Sequence, residues 1–433
     1  MSSSHSPQAD GGVASVRSPG VTPPPVVLSA GKRKALLASL GVSYLGLFMT
    51  YAGLVAILLP QQMTNLDAAH KVTNLAFVTS ISAVATIFVQ PIVGAFSDRT
   101  RTRLGRRAPW ILLGGIGGGI CTIAIQAANT LLWIAVAWVA IQVLLNAFQG
   151  PLSAIISDRI ESDNRGLASA ITGVGSSLGG TVGVIVAGQL LNRIGVAYTF
   201  FGILVIVICI AFVLANPDKS SVTEVHTAMD WSAFLATFMV NPRRHPDFFW
   251  AFGGRFFMIL GYQAITNYQL YIITDYIGVN PAKTGDVVSI LSIISLVTVT
   301  ISTLLAGRIS DKLGRRKVFV GVATLFIAGS ICIPLFMRTV TGMYVYGGLL
   351  GLGYGAYIAV DMAMMVDVLP SNGAAAKDLG ILNVASNIPQ ALTPLIAAGL
   401  LTAFAGNHRV LFFYSAIAAA LSTLFVIPIK TVK

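Results

Sequence analysis

The stretch GAFSDRTRTRLGRR, Gly94–Arg107, sets five arginines and one aspartate between two uncharged apolar runs. A shorter version, GRISDKLGRR, stands at Gly307–Arg316. Gly94 and Asp98 recur 213 positions later as Gly307 and Asp311, about half of the 433-residue chain. The pattern reads as one membrane half written twice, with the charged loop at the same place in each.

Working outward, the flanking runs are about 20 residues or longer, enough for a helix to cross a ~30 Å hydrocarbon core. Mean hydropathy is +0.79 and only 10% of residues are charged, where soluble domains carry about 25%. Alternating segments of ~10 residues, the mark of a membrane barrel, are missing. Lipid offers backbone N–H and C=O groups no partner, so the expected fold is an all-α membrane bundle. Twelve spans are predicted, from Ala35–Pro60 to Val410–Ile429, in two pseudo-symmetric six-helix halves. The domains are a disordered tail (1–34), a first half (35–215), a linker rich in Pro and Arg (216–247) and a second half (248–433).

The net charge of +12 invites a nucleic-acid reading, but its distribution argues otherwise. With an intracellular N-terminus, 22 Lys and Arg fall inside and five fall outside: Lys71, Arg193, Lys283, Arg338 and Arg409. That asymmetry is the positive-inside rule and places both termini in the cytoplasm. Cys121, Cys209 and Cys332 all lie in apolar runs and read as small core hydrophobes. Neither a disulfide framework nor a metal spacing is present. Glycine clusters such as Gly114–Gly119 sit in or beside membrane helices, not between a strand and a helix, so no nucleotide cofactor is expected.

The repeated loop resembles the signature of the major facilitator superfamily, G-x-x-x-D-[RK]-x-G-[RK]-[RK], and the two-half plan matches that family. The resemblance implies a conformational gate at Gly94, Asp98, Arg99, Arg106, Arg107, Asp311, Arg315 and Arg316. Asp98 ends a helix, and the following arginines can bond exposed carbonyls and the aspartate; the same charges also set topology. The form SDRTRTRLGRRAPW looks like the glycoside–pentoside–hexuronide and sucrose-transporter branches. A second match, Asn146, Gln149, Gly150, Pro151 and Asp158, resembles the sucrose–proton symporter pattern N-x-x-Q-G-P-x-R-A-x-x-x-D. Ser153 stands where that pattern has arginine, which puts its sugar contacts in doubt. Asp158 corresponds to the family's protonatable aspartate, or is a solvated inner charge beside Arg159. The second span carries no acid, which counts against the sodium site of melibiose-type relatives. The fifth has no proline, which counts against drug antiporters. It carries Gly175, Gly179 and Gly183 at four-residue spacing, a face for close helix contact. Pro389 and Pro394 predict an interruption in span eleven.

Charges inside spans are few. At ~1.5 Å per residue, Arg255 and Asp361 lie about 12 and about 9 Å from the inner ends of spans seven and ten. A lone arginine in lipid costs about 3 kcal/mol or more, so it should find a partner. Arg255 and Asp361 are expected to pair, either as a fixed structural bridge or as a pair that protonation of Asp361 breaks. In span four Trp138, Gln142, Asn146 and Gln149 recur on one helical face. Tyr51, Tyr262, Asn267, Tyr268, Tyr354 and Tyr357 mark other cavity-facing positions. Buried amides need partners, and rings beside amides suit a neutral polyhydroxylated solute.

These residues point to a proton-coupled symporter of a small polar solute, with a sugar favoured, in a bacterial plasma membrane. It needs no cofactor or nucleic acid, and a monomer suffices. The alternatives are an exporter or antiporter of an amphipathic molecule, or a receptor or scaffold with the same fold. An intramembrane enzyme lacks a His or Cys constellation.

Overall fold

The computed structural model describes residues 29–218, 220–222, 246–313, 316–367 and 375–429. All regular structure among them is helical. Helix α1 (Ala30–Gly53) passes through a π turn, Leu54–Leu58, into α2 (Leu59–Leu66). Then follow α3 (Lys71–Arg99), α4 (Ala108–Ala124), α5 (Leu131–Arg159), α6 (Ser162–Gln189) and α7 (Ile194–Ala215). Beyond the linker, α8 (Pro246–Thr266) and α9 (Gln269–Tyr271) lead into a second π turn, Ile272–Tyr276. The remaining elements are α10 (Pro281–Leu313), α11 (Arg316–Ile331), α12 (Ile333–Phe336), α13 (Val340–Asp367), α14 (Ala375–Ala403) and α15 (Arg409–Val426).

Among the described residues, ten helical rods are long and apolar enough to cross a membrane. Their outer faces carry large apolar side chains in the open, among them Phe88, Leu132, Trp133, Leu214, Leu304, Val322 and Leu424. Contiguous exposure on that scale marks a surface that faces lipid.

The packing repeats. In the first set α1 lies on α6 and α7, α4 on α5 and α7, and α3 on α5. In the second set α8 lies on α14 and α15, α11 on α13 and α15, and α10 on α13. Each pairing of the first set has its counterpart in the second. Across the sets α3 meets α14 and α6 meets α10. The two π turns obey the same repeat, at the same end of the first rod in each set. A π turn widens the helix by one residue and often marks a functional position.

Glycine sets the closest approach. A Cβ on Gly175 would stand 2.6 Å from the Gly41 carbonyl oxygen, and Cβ atoms on Gly179 and Gly183 would collide with the Leu45 and Met49 carbonyls. The face expected from the four-residue spacing is thus backbone against backbone between α6 and α1. Within α4, Gly114 and Gly119 do the same against the backbones of α5 and α7, and Gly115 and Gly118 make room for the Cys209 and Leu145 side chains, so the cluster is a helix seam rather than a phosphate loop.

Span eleven corrects an expectation. Pro389 and Pro394 lie inside one continuous helix, α14. The Thr393 hydroxyl donates to the Pro389 carbonyl at 2.6 Å, and the Tyr268 hydroxyl donates across to the Pro394 carbonyl at 3.0 Å. Hydroxyls of this kind let a membrane helix tolerate proline without breaking.

Candidate solute cavity and charged network

A cavity of about 290 Å³ opens where the two helix sets face each other. Its wall mixes polar and apolar side chains and carries no charged one. α5 supplies Trp138, Gln142 and Asn146; α8, Gln263; the turn just after it, Asn267; α14, Asn387 and Gln390. α3 adds Thr79, Ser82 and Thr86, and the first rod adds Tyr51 and Val55. Six carboxamides thus converge on it, five from three helices and Asn267 from the turn after α8. Several are already oriented by neighbours: Asn146 donates to the Gln142 carbonyl at 2.8 Å, and Gln263 Oε1 accepts from Thr266 at 3.0 Å. Trp138 is fixed by its indole N–H, which donates to Ser82 at 3.0 Å. The Tyr51 hydroxyl is buried without a partner.

Of the residues predicted to face solute, Tyr51, Trp138, Gln142, Asn146 and Asn267 line this cavity. Gln149, Tyr262, Tyr268, Tyr354 and Tyr357 do not. Tyr268 lies in the core beside a smaller pocket with Leu75 and Pro394. Tyr262 and Tyr354 stack face to face, centroids 4.1 Å apart and planes 3° apart. Thr79, Ser82 and Thr86 are additional lining residues whose spacing puts them on one helical face.

Arg255 Nη1 donates to Asp361 Oδ2 at 2.9 Å, joining α8 to α13. Asp361 is 3% exposed, with the buried Tyr357 hydroxyl beside its carboxylate. Burial of a charged pair is costly and needs close geometry to be tolerated. The pairing inferred from depth along the helices is therefore formed.

At one end of the bundle the arginine loop closes a network within the first set. Arg107 is buried and holds Asp98 at 2.6 Å and Asp158 at 2.9 Å, while Arg106 holds Asp158 at 3.0 Å. Arg107 Nη1 also donates to Ser97 at 3.1 Å. Arg99 donates to the Ala95 carbonyl at 2.8 Å, and Arg101 to the Asp98 carbonyl at 2.8 Å. Asp158 is therefore no solvated charge beside Arg159, which pairs with Asp218 at 2.7 Å instead. The linker joins this network: the Ser221 N–H donates to the Thr102 carbonyl at 3.1 Å. In the second copy of the motif, Arg315 and the side chain of Asp311 lie outside the described residues, while Arg316 opens α11 and Gly307 lies within α10.

The other end joins the two sets directly. Lys71 pairs with Asp275 at 2.7 Å and lies 4.8 Å over the Tyr271 ring. The Tyr271 hydroxyl donates to the Pro60 carbonyl at 2.9 Å. Gln189 donates to Asp286 at 3.0 Å, beside a backbone contact between Gly188 and Gly285. These contacts seal that end. Among the described residues no group of His, Cys, Asp or Glu could hold a metal ion.

Residues 41–374 match the family described as MFS/sugar transport protein. The chain belongs to that family: it is a multi-pass membrane transporter. It is 22% identical over 376 residues to an MFS transporter of Aspergillus flavus, covering 83% of this chain and 78% of that protein. It is 34% identical over 119 residues to a sucrose transport protein of Arabidopsis thaliana, covering 22% of this chain and 23% of that one. In structure it is similar to a bacterial homologue of the human lysosomal transporter Spinster in an inward-facing, unoccupied conformation. That likeness has a TM-score of 0.70 at 16% identity, covering 93% of this chain and 95% of the other. At such identity the likeness is one of fold.

Proposed function

We propose that the chain is a secondary active symporter that moves a neutral polyhydroxylated solute, a sugar, together with protons by alternating access. The observation that carries this reading is the cavity wall, six carboxamides and an indole with no charged side chain. Amide groups both donate and accept, as hydroxyls require, while an ionic solute would leave its charge unpaired in a dry site. The partial likeness to a plant sucrose transport protein supports the same class.

Twelve spans form two six-helix halves, 35–215 and 248–433, joined by the linker 216–247, and the repeated helix pairings support this division. The positive-inside rule puts the Arg107 end and both termini in the cytoplasm of a bacterial cell. The sealed Lys71–Asp275 end then faces out, and the structure corresponds to an inward-facing state. Asp361 carries the proton: neutralising it releases Arg255 from α13 and lets the halves rock. Asp158, Asp98 and the loop arginines hold the inner end of the first half, with Asp158 as a second carboxylate within reach of protons. One chain holds both halves, so a monomer suffices.

The test is uptake of labelled mono- and disaccharides into proteoliposomes with and without an inward proton gradient. Accumulation of one sugar only with the gradient is expected. Absence of flux for the whole panel under both conditions would sink the sugar reading. Efflux of amphipathic compounds from the same vesicles would then decide for the exporter.

A further inference from the structure

His408 lies at the sealed end and takes no part in the machinery above. It precedes α15 and is buried, 9% exposed, with its Nε2 lacking any hydrogen-bond partner. An unpaired polar nitrogen in a buried site costs free energy and calls for a reason.

Its neighbours belong to the seal. Tyr276 of the second π turn lies 6.5 Å away, ring to ring. The titratable and charged groups that face it are Asp275 and Tyr276 from that turn, Lys71 from the head of α3, and Arg338 from the loop between α12 and α13. Asp275 is already engaged by Lys71. Arg338 lies 4.7 Å over the Tyr276 ring and donates to the Tyr276 carbonyl. The local backbone adds only the Gly406 contact. The imidazole therefore faces two cations and one carboxylate that is spoken for.

We propose that His408 is a proton-binding site on the outer seal, whose protonation breaks the Lys71–Asp275 clasp and favours the state open at that end. A proton on Nε2 creates a third cation among Lys71 and Arg338. The acceptor within the cluster is Asp275, so the new N–H competes with Lys71 for it. Once the end opens, water solvates the imidazolium and the competition ends. The proton thus binds the open form more tightly, and by linkage acid favours that form.

The sign agrees with the surroundings. Burial first, then Lys71 and Arg338, hold His408 below its ordinary value of 6.5 in the sealed form, and the Asp275 charge only partly offsets them. A depressed histidine value means the seal is favoured at pH above ~6.5 and is lost as pH falls through that value toward the lowered one. The site differs from Asp361 in place and in task. Asp361 carries a proton through the cycle, whereas His408 sets which end opens.

The inference rests on the alternating-access reading but needs no solute to test. Spin labels at two exposed positions on opposite halves, Ala68→Cys and Ala282→Cys, report the separation of the outer ends. Cys121, Cys209 and Cys332 are replaced by alanine in that background. Lowering pH from 8 to 5.5 should add a longer distance in the parent chain. His408→Gln should hold the short distance at both values, and His408→Lys should show the long one already at pH 8. In the unlabelled, unmodified chain, amide exchange corrected for pH should rise at residues 67–71 and 275–281 on acidification, which covers the case of a background that folds poorly. Lengthening that persists in His408→Gln, or no acid response in either measurement, overturns the proposal. Lys71→Ala separates the two levels. If it opens the end while pH does not, alternating access stands and His408 is excluded; if nothing opens the end, both fail.

Discussion

Arg107 lies between Asp98 and Asp158, with its Nε 2.9 Å from Asp158 and its Nη2 2.6 Å from Asp98. One guanidinium thereby ties the end of α3 to the end of α5 across the loop that repeats in the sequence. The fork geometry matters: two carboxylates are bridged by separate N–H groups, which an ammonium cannot reproduce at one position.

Arg107→Ala should therefore lower stability by about 2–3 kcal/mol. That is somewhat below the ~3–5 typical of a fully buried pair that loses a partner, because water still reaches Asp98. Arg107→Lys should recover only part of this. Melting of the purified protein in detergent checks both, and an unchanged melting temperature in Arg107→Ala would remove the bridge as a structural strut.

The α1–α6 seam makes a sharper demand. Gly179→Leu and Gly183→Val push a side chain into the Leu45 and Met49 backbone, and backbone cannot step aside as a flexible side chain can. Overpacking of this kind costs about 1–3 kcal/mol or more. Both variants should express poorly or aggregate. Gly173→Ala, on the same helix with space for a Cβ among the described residues, should behave as the parent. Equal yields for all three would contradict the seam.

The cavity predicts a contrast within one helix. Asn146→Leu removes an amide from the wall, whereas Gln149→Leu lies outside it. Loss of one hydrogen bond worth ~1 kcal/mol should raise the half-saturating solute concentration roughly five-fold for Asn146→Leu. Gln149→Leu should leave it unchanged. A reversed order would place the solute elsewhere.

Asp361→Asn separates transport from coupling. The variant should retain exchange of solute down its gradient and lose accumulation driven by an imposed pH gradient. Arg255→Leu alone leaves Asp361 as an uncompensated buried charge, so it should be less stable than the Arg255→Leu/Asp361→Asn pair. Gradient-driven accumulation in Asp361→Asn would exclude this carboxylate as the proton carrier.

The Lys71–Asp275 seal should respond to the pair that joins the two helix sets. Lys71→Asp should weaken closure, and the exchange Lys71→Asp/Asp275→Lys should restore it in part. The pair is partly exposed and is worth about 0.2–1 kcal/mol, so the populations should shift up to about five-fold. Distances between labels on the loops at that end read this directly. Identical distances in the single and the exchanged variants would show that Tyr271 and the glycine contact hold the end without it.

Much of this was legible in the chain. The helical class followed from lipid's refusal of unpaired backbone, and the Arg255–Asp361 pair from counting residues inward from the helix ends. The Gly175–Gly183 spacing announced its contact because small residues have few other uses at that interval. The cavity was read less well, and for a physical reason. Large aromatic residues draw attention, yet Tyr262 and Tyr354 satisfy each other by stacking and Tyr268 spends its hydroxyl on Pro394. The wall is finished instead by Thr79, Ser82 and Thr86, hydroxyls so common in membrane helices, where they bond back to their own backbone, that their pattern carries little weight alone. The π turns left no mark in the sequence, since a one-residue widening depends on the neighbouring helices. Pro389 and Pro394 misled because the helix retains its course through them.

A wall of amides also bears on electricity. Neither the cavity nor a neutral solute within it feels the voltage across the membrane, and the Arg255–Asp361 pair carries no net charge while intact. A proton on Asp361 would turn the neutral pair into one net positive charge, worth about 2.3 kcal/mol per 100 mV if it crosses the whole field. On the proposed coupling, a dependence of the transport rate on voltage at the step that protonates Asp361 would report on this pair and not on the identity of a neutral solute.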